Sequence, residues 1–130
     1  MIGIVIVAHG GLAREYLAAV EHVVGAQSAM VAISISPDDD RDSKQGEICA
    51  AADSVDRGEG VVVVTDMFGG SPSNLSLRAC APTNRKIVYG ANLPMLIKLT
   101  KSRHKSVDEA IKSALSSGRK YIDSFDVSQD

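Results

Sequence analysis

Residues 4–11, with the sequence IVIVAHGG, decide the fold class of this chain. An unbroken run of aliphatic residues is typical of a strand that is buried on both faces of a parallel sheet. The run ends at His9, and the two glycines after it permit a tight turn and a close approach of the backbone to a small ligand. We therefore expect His9 at the carboxyl end of the first strand, where open α/β sheets bind their ligands. A histidine at this place can equally be an ordinary polar residue.

The composition indicates one globular domain that covers residues 1–130. A chain of 130 residues with 45% hydrophobic content buries enough surface to fold without disulfides. A net charge of −2 gives no electrostatic footprint for nucleic acid or an anionic membrane. The two cysteines match no metal or redox spacing, and the apolar N-terminal run is too short to span a bilayer and lacks the flanks of a signal peptide. We therefore expect a reduced, cytoplasmic protein.

Strand and helix patterns alternate about four times along the chain. Residues 30–35, 61–66 and 85–89 have the character of further strands, and segments with helical periodicity lie between and after them. This alternation predicts an α/β fold with an open parallel sheet of order 2-1-3-4 and helices on both faces. The tail from Lys120 to Val127 alternates apolar and polar residues, which favours a C-terminal edge strand.

Local signals predict where several helices begin and end. Gly25 and Gly118 are expected to end helices. Ser71 is the predicted N-cap of a helix with proline at its first position. Ser106 and Glu109 form a predicted capping box at the start of the last helix.

The predicted topology brings three features to one edge of the sheet. Strands one and three are neighbours, so His9 and Asp66 are expected side by side at their carboxyl ends. A hydrogen bond to Asp66 would fix the tautomer of His9 and leave its other ring nitrogen as a nucleophile. The turn Gly69-Gly70-Ser71 would direct free backbone N–H groups and a helix N-terminus at the same place, which is a ready site for phosphate. We therefore predict that His9 is itself phosphorylated.

Other chemistries fit the sequence less well. The chain has no nucleophile elbow of the Gly-x-Ser-x-Gly type, no nucleotide-binding phosphate loop and no Rossmann glycine fingerprint. The acidic run at residues 38–42 lacks the glycine and the glutamate that a calcium loop requires. A zinc site needs three or four ligands, and only His9 and Asp66 are expected to be close together. His22 and His104 are expected on the surface, so we predict no metal site.

Three segments carry a resemblance to a known family. They are residues 1–10, residues 65–74 with the motif Asp-x-x-Gly-Gly-Ser-Pro-x-Asn, and residues 90–96. Together they resemble the mannose-family IIA component (EIIA-Man type) of the bacterial phosphoenolpyruvate:sugar phosphotransferase system, over essentially the whole chain.

The resemblance implies a phosphocarrier, a phosphotransferase component that uses a phosphohistidine. In that family the histidine matching His9 accepts a phosphoryl group from the carrier HPr and passes it to a IIB component, for sugar uptake through a membrane permease or for regulation. The aspartate matching Asp66 orients the histidine, and the serine matching Ser71 contacts the phosphoryl group. The predicted phosphate-binding residues are Gly10, Gly69, Gly70 and Ser71.

The resemblance also implies what accompanies the carrier. No metal, nucleotide or other cofactor is required, and contact with the membrane is only indirect, through the permease complex. Family members are typically homodimers in which a C-terminal strand crosses to the partner's sheet, and residues 120–127 are the candidate for that strand.

Two alternatives to a sugar-linked carrier stay open at this point. A related IIA-type domain relays phosphate to dihydroxyacetone kinase. The same fold can also serve a non-enzymatic anion-sensing or protein-binding regulatory module, in which His9 is never phosphorylated.

Overall fold

A computed structural model describes residues 1–67 and 70–129 of the chain. The strands are β1 (Gly3–His9), β2 (Met30–Ile35), β3 (Val61–Thr65) and β4 (Arg85–Val88). The helices are α1 (Leu12–Val24), α2 (Arg41–Val55), α3 (Ser71–Ser76), α4 (Leu93–Lys101) and α5 (Val107–Lys120), with 3₁₀ turns at Arg78–Cys80 and Val127–Gln129. Within the two described ranges, no helix combines the length and the apolar character needed to cross a bilayer.

The four strands form one parallel sheet of order β2-β1-β3-β4. This confirms the predicted α/β fold and the predicted strand order. In the register of the sheet, His9 pairs with Ile35 and Val7 pairs with Thr65. The central strands β1 and β3 therefore end at the same edge of the sheet.

Alternate residues of the central strands contribute to two separate cores. Ile4 and Ile6 belong to the core that α1, α4 and α5 cover, whereas Val5 and Val7 belong to the core that α2 and α3 cover. The first six residues of β1 are buried and His9 is exposed. Residues of both parities in β1 are apolar because both faces of the strand are covered by helices.

Two of the predicted helix boundaries are confirmed. Helix α1 ends at Val24, and Gly25 follows with a φ of 91° that favours glycine. At the start of α5, the hydroxyl oxygen of Ser106 accepts a hydrogen bond from the backbone N–H of Glu109 at 3.2 Å. The Ser106 hydroxyl also donates to the Glu109 carboxylate at 2.9 Å, so the two side chains close the predicted capping pair.

The prediction that Gly118 ends a helix is wrong, because α5 continues to Lys120. Gly118 is buried against the start of α4, where a Cβ atom would lie 3.0 Å from the Cβ of Met95. The side-chain amide of Asn92 donates a hydrogen bond to the Gly118 carbonyl at 3.2 Å. Glycine is needed here because two helices approach each other closely, and not because a helix ends. A glycine in the sequence is typical of both situations, so the sequence does not distinguish them.

The predicted C-terminal edge strand does not form within this single chain. Residues 121–126 adopt no regular structure, and they are followed by the 3₁₀ turn. Every residue from 121 to 128 is exposed, and the sheet of the described chain contains only β1 to β4. A strand requires a neighbour to accept its hydrogen bonds, and the alternation of residues cannot supply one. The exchange of this segment in a dimer stays a prediction.

We expect Gly3→Ala to lower the free energy of unfolding by about 1–3 kcal/mol, because a Cβ at this position would overlap the backbone carbonyl oxygen of Val55. Gly46→Ala is the matched control. Gly46 lies inside α2 with open space around its Cβ position, and alanine there is expected to add up to ~1 kcal/mol of stability. Urea unfolding followed by circular dichroism measures both variants, and a similar effect at the two positions would contradict the close approach of β1 to α2.

Candidate active site

The site is built around a contact between the ends of β1 and β3. His9 is the last residue of β1, and its side chain is 47% exposed. Asp66 follows directly after β3, and its side chain is only 12% exposed. The Asp66 Oδ2 atom lies 2.8 Å from the His9 Nδ1 atom. The structure therefore brings together the two residues that the topology predicts to be neighbours.

Backbone groups hold the Asp66 carboxylate in place on both of its oxygens. Oδ2 also accepts a hydrogen bond from the backbone N–H of His9 at 3.1 Å, and Oδ1 accepts one from the N–H of Met67 at 3.0 Å. An ionised carboxylate can only accept hydrogen bonds, so Nδ1 of His9 carries the proton in this contact. The lone pair then resides on Nε2, which is the ring atom suited to act as a nucleophile.

Electrostatics keep the Asp66 carboxyl ionised. Burial raises the pKa of the Asp66 carboxyl, but the hydrogen bonds from the His9 ring and from the His9 backbone N–H outweigh that effect and lower the pKa below its ordinary value of 3.8. A negative carboxylate therefore stands behind the imidazole at neutral pH. It favours any state of the ring in which positive charge develops.

Helix α3 begins beside the imidazole ring. Its N-cap is Gly70, and a Cβ atom on Gly70 would lie 3.3 Å from the His9 Cε1 atom. The Gly70 carbonyl accepts hydrogen bonds from the N–H of Asn74 at 3.1 Å and from the hydroxyl of Ser73 at 3.1 Å. These bonds fix the first turn of α3 against the ring, and glycine at the N-cap leaves room for it.

The prediction that Ser71 is the N-cap of this helix is wrong. Ser71 is the first helical residue and Gly70 precedes it as the N-cap, and among residues 1–67 and 70–129 no side chain caps this helix end. Proline in the first turn fits either register, so the Ser-Pro signal leaves the boundary uncertain by one residue. The Ser71 residue is exposed beside Gly70, and its hydroxyl is therefore available to a ligand.

The predicted phosphate-binding glycines have different surroundings. Gly10 has a φ of 56°, and its backbone N–H donates to the Ile35 carbonyl at 2.9 Å. It therefore supplies a tight turn after His9 rather than a free donor. Gly69 lies outside the described residues. Gly70 is in place next to His9, and the roles of all three glycines stay predictions.

Thr65 is a feature of the site that sequence reasoning missed. It is completely buried at the end of β3, directly before Asp66, and its hydroxyl has no hydrogen-bond partner in the described part of the chain. A buried hydroxyl without a partner costs free energy, so it is unusual in a folded protein. The sequence offered no signal, because threonine is an ordinary residue in strands.

Exposed apolar side chains adjoin the two polar residues, and the sequence reasoning missed these as well. Leu12 begins α1 shortly after His9 and is 45% exposed, and Met67 follows Asp66 and is 55% exposed. Both residues could have been predicted to lie near the site, because Leu12 is close to His9 in the sequence and Met67 follows Asp66 directly. Apolar residues around an accessible histidine suit contact with another protein.

The remaining histidines do not join the site. His22 lies on α1 and His104 lies between α4 and α5, and both are exposed as predicted. Among residues 1–67 and 70–129, no three histidine, cysteine, aspartate or glutamate side chains are grouped closely enough to hold a metal ion.

Comparison with known proteins identifies one family. Residues 3–115 match the family model EIIA-man, described as "PTS system fructose IIA component". The chain is also 30% identical over 124 residues to the PTS system mannose-specific EIIAB component of Escherichia coli (strain K12). That match covers 93% of this chain and 38% of the relative, so the chain spans less than half the length of the curated proteins that it matches.

Solved structures of such components have the same fold. Phosphotransferase system component EIIA from Streptococcus agalactiae superposes with a TM-score of 0.80 at 28% identity and covers 100% of both chains. The PTS IIA protein associated with the fucose utilization operon from Streptococcus pneumoniae gives a TM-score of 0.79 at 28% identity, covering 98% of this chain and 93% of that one. The mannose/sorbose specific IIA subunit from Enterococcus faecalis gives 0.86 at 24% identity, covering 97% and 96%.

We expect Thr65→Val to raise the free energy of unfolding by about 1 kcal/mol, because the buried hydroxyl gives up no hydrogen bond when a methyl group replaces it. Thr100→Val is the matched control. The Thr100 hydroxyl is also buried, but it donates to the Leu96 carbonyl at 2.7 Å, so its loss is expected to cost about 0.5–1.5 kcal/mol. Chemical denaturation of both variants tests this, and a similar loss at both sites would mean that the Thr65 hydroxyl is paired in solution.

Proposed function

Because the chain belongs to the EIIA-man family of phosphotransferase-system IIA components, we propose that it carries a phosphoryl group on His9. One observation carries the proposal. The imidazole of His9 is accessible to another protein, and its Nδ1 atom is held by the Asp66 carboxylate at 2.8 Å, which leaves Nε2 as the nucleophile.

The proposed donor is the phosphohistidine of HPr. Nε2 of His9 attacks the phosphorus atom, a new N–P bond forms, and the N–P bond to the donor imidazole breaks. The departing imidazole takes the electron pair of the broken bond. Transfer between two imidazoles is nearly balanced in free energy, so the protein mainly has to align donor and acceptor and to stabilise charge.

Asp66 has two tasks in this reaction. It fixes the ring tautomer through Nδ1, and its negative charge stabilises the positive charge that develops on the ring when Nε2 bonds to phosphorus. The backbone bonds from His9 and Met67 hold the carboxylate ready, so little reorganisation accompanies the transfer.

The exposed Ser71 hydroxyl and the backbone near Gly70 are the proposed contacts to the phosphoryl oxygens. Both lie at the start of α3, where the Cβ position of Gly70 faces the ring atom Cε1, the carbon next to Nε2. Hydroxyl and backbone N–H donors at a helix start suit an anionic group. Gly69 is the remaining proposed donor, and Gly10 belongs to the proposed phosphate site through the tight turn after His9, since its N–H already bonds to the Ile35 carbonyl.

The proposed acceptor is a IIB component that phosphorylates a sugar during its uptake, or another phosphoryl acceptor protein that serves regulation. The exposed Leu12 and Met67 beside the site suit such a protein, because donor and acceptor must each press against the histidine in turn. We place this relay in the cytoplasm, with the membrane reached only through a permease complex.

We also propose that the working form is a homodimer that exchanges its C-terminal tails. In the sheet formed by the described residues, β4 is an edge strand that pairs with β3 alone. An apolar groove of about 370 Å³ runs along this edge, with Ile87 and Leu115 in its wall. The tail exposes Phe125 by 73% and Val127 by 75%, and these side chains would be covered if a second chain's tail paired with β4.

The phosphorylation proposal is tested by intact-protein mass spectrometry. We expect the wild type to gain the mass of one phosphate when it is incubated with HPr, phosphoenolpyruvate and the carrier that charges HPr. His9→Gln should gain none, because the acceptor atom is missing, whereas His22→Gln should gain as much as the wild type. A mass gain in His9→Gln would show that another residue accepts the phosphoryl group. No gain in any sample with charged HPr would favour a non-enzymatic binding module.

The same assay, followed in time, separates the roles of the neighbouring residues. Asp66→Asn keeps the size of the side chain but removes its charge, and it is expected to slow transfer by about 10²-fold or more. Ser71→Ala is expected to slow transfer without lowering stability, because Ser71 does not cap α3. An unchanged rate in either variant would remove that residue from the mechanism.

The dimer proposal is tested by comparing two double variants that add charges at different positions of the tail. Phe125→Asp with Val127→Asp should give a monomer, because an edge strand with buried charges cannot pair in an apolar groove. Ser124→Asp with Ser128→Asp adds the same charge at alternate positions and should leave the dimer intact. Light scattering after size exclusion measures the mass. A monomeric wild type, or equal behaviour of the two variants, would contradict tail exchange.

A further inference from the structure

A second polar surface lies on the outer side of α4 and α5. A shallow groove of about 420 Å³ separates the two helices there. The residues that line it are Lys98, Lys112, Ser113, Ser116, Ser117 and Lys120. Every one of these side chains carries an N–H or O–H donor. The groove thus offers three ammonium groups and three hydroxyl groups to whatever enters it.

The groove lies in the most basic part of an acidic protein. Residues 93–122 contain seven lysine and arginine residues but only two acids, so this stretch has a formal charge of +5 while the rest of the chain has −7. Both acids lie in the first turn of α5, where Asp108 pairs with Lys86 and Glu109 bonds to Ser106. The groove is therefore surrounded by positive charge that nearby carboxylates do not neutralise.

The three lysines of the groove keep their charges free. In the described part of the chain, Lys98, Lys112 and Lys120 have no carboxylate within 4 Å, whereas Lys44 on α2 is paired with Asp39 and Glu47. Lys120 lies over the ring of Tyr121, with its Nζ atom 5.4 Å from the ring centre, and this contact leaves its positive charge unneutralised.

The positive surface continues beyond the groove. A neighbouring hollow shares Lys98 and Ser117 with it and adds Lys101, Ile97 and Tyr121. Lys98 and Lys101 lie in the last turn of α4 and Lys120 lies in the last turn of α5, where the helix dipole favours positive charge, so the ammonium groups are stable there and remain available to an anion.

We propose that the groove between α4 and α5 binds a small polyanion that carries phosphate groups. Ammonium groups and hydroxyls donate to acceptor-rich ligands, and phosphate oxygens are the acceptors that lysine commonly binds. The volume of the groove is within the range of small-molecule sites. A ligand with several phosphate groups offers a separate anionic acceptor to each of the three lysines.

This site is separate from the proposed phosphoryl site. Its lining comes only from α4 and α5, whereas His9, Asp66 and Ser71 belong to β1, β3 and α3. On α5, Lys112, Ser116 and Lys120 are exposed and Ser113 and Ser117 are half-buried, whereas Ala110 and Ala114 belong to the core. The groove along β4 takes Ile111 and Leu115 from α5 and shares no lining residue with the basic groove.

The proposal is tested by NMR titration of the full chain with inorganic tripolyphosphate. We expect the backbone signals of residues 98, 112, 113, 116, 117 and 120 to shift together, with an apparent affinity that falls as salt is added. Substitution of all three lysines, K98Q/K112Q/K120Q, should weaken binding by about tenfold or more. The control R41Q/K44Q/K86Q removes three charges elsewhere and should change the affinity much less.

Three results would overturn the proposal. The first is an equal loss of affinity for tripolyphosphate in the two triple variants, which would mean that binding depends only on the net charge of the protein. The second is a set of shifts centred on His9 and Ser71, which would place the ligand at the phosphoryl site. The third is a wild type whose groove signals do not move. The shift map of the wild type decides the matter even if a variant folds poorly, and the outcome is independent of whether His9 is phosphorylated.

Discussion

The hydrogen bond between Asp66 and His9 is the interaction on which the site depends. It joins the ends of the two central strands, and it exists only because β1 and β3 are parallel neighbours in the correct register. The same carboxylate oxygen accepts the backbone N–H of His9, so the ring and its strand are tied to one acceptor. One contact thus sets the position and the tautomer of the imidazole and places a negative carboxylate beside it. A shift of one residue in the pairing would turn the side chains of β1 to the opposite face and separate the pair.

The buried sheet holds the two residues of this hydrogen bond in fixed positions. Six residues of β1 before His9 are enclosed by the two cores, and Gly3 lets α2 approach the strand too closely for any larger residue. A strand held on both faces ends at a defined point, and the first residue beyond the cores is the one that can meet another protein. The packing of the buried strand therefore fixes the position of His9. The turn at Gly10 directs the following chain away from the ring, so that the ring is accessible to another protein.

The uneven distribution of charge gives the molecule two differently charged parts. Acidic residues are concentrated outside residues 93–122, and basic residues dominate within that stretch. The overall charge of −2 conceals this separation, which appears only when charges are assigned to the helices that carry them. Electrostatic steering of a charged partner or ligand depends on such local fields rather than on net charge.

The sequence by itself determined the order of elements, the strand order and the pairing of His9 with Asp66, because apolar periodicity and the rules for parallel connections are local or topological. It did not determine the start of α3, since Ser71 and Gly70 both suit an N-cap, or the role of Gly118, since glycine marks a helix end and a close helix contact alike. Nor did it reveal the buried Thr65 hydroxyl or the groove between α4 and α5. These depend on which side chains meet across elements, and only the tertiary structure decides that, because burial and proximity arise from packing and not from the chain's own pattern.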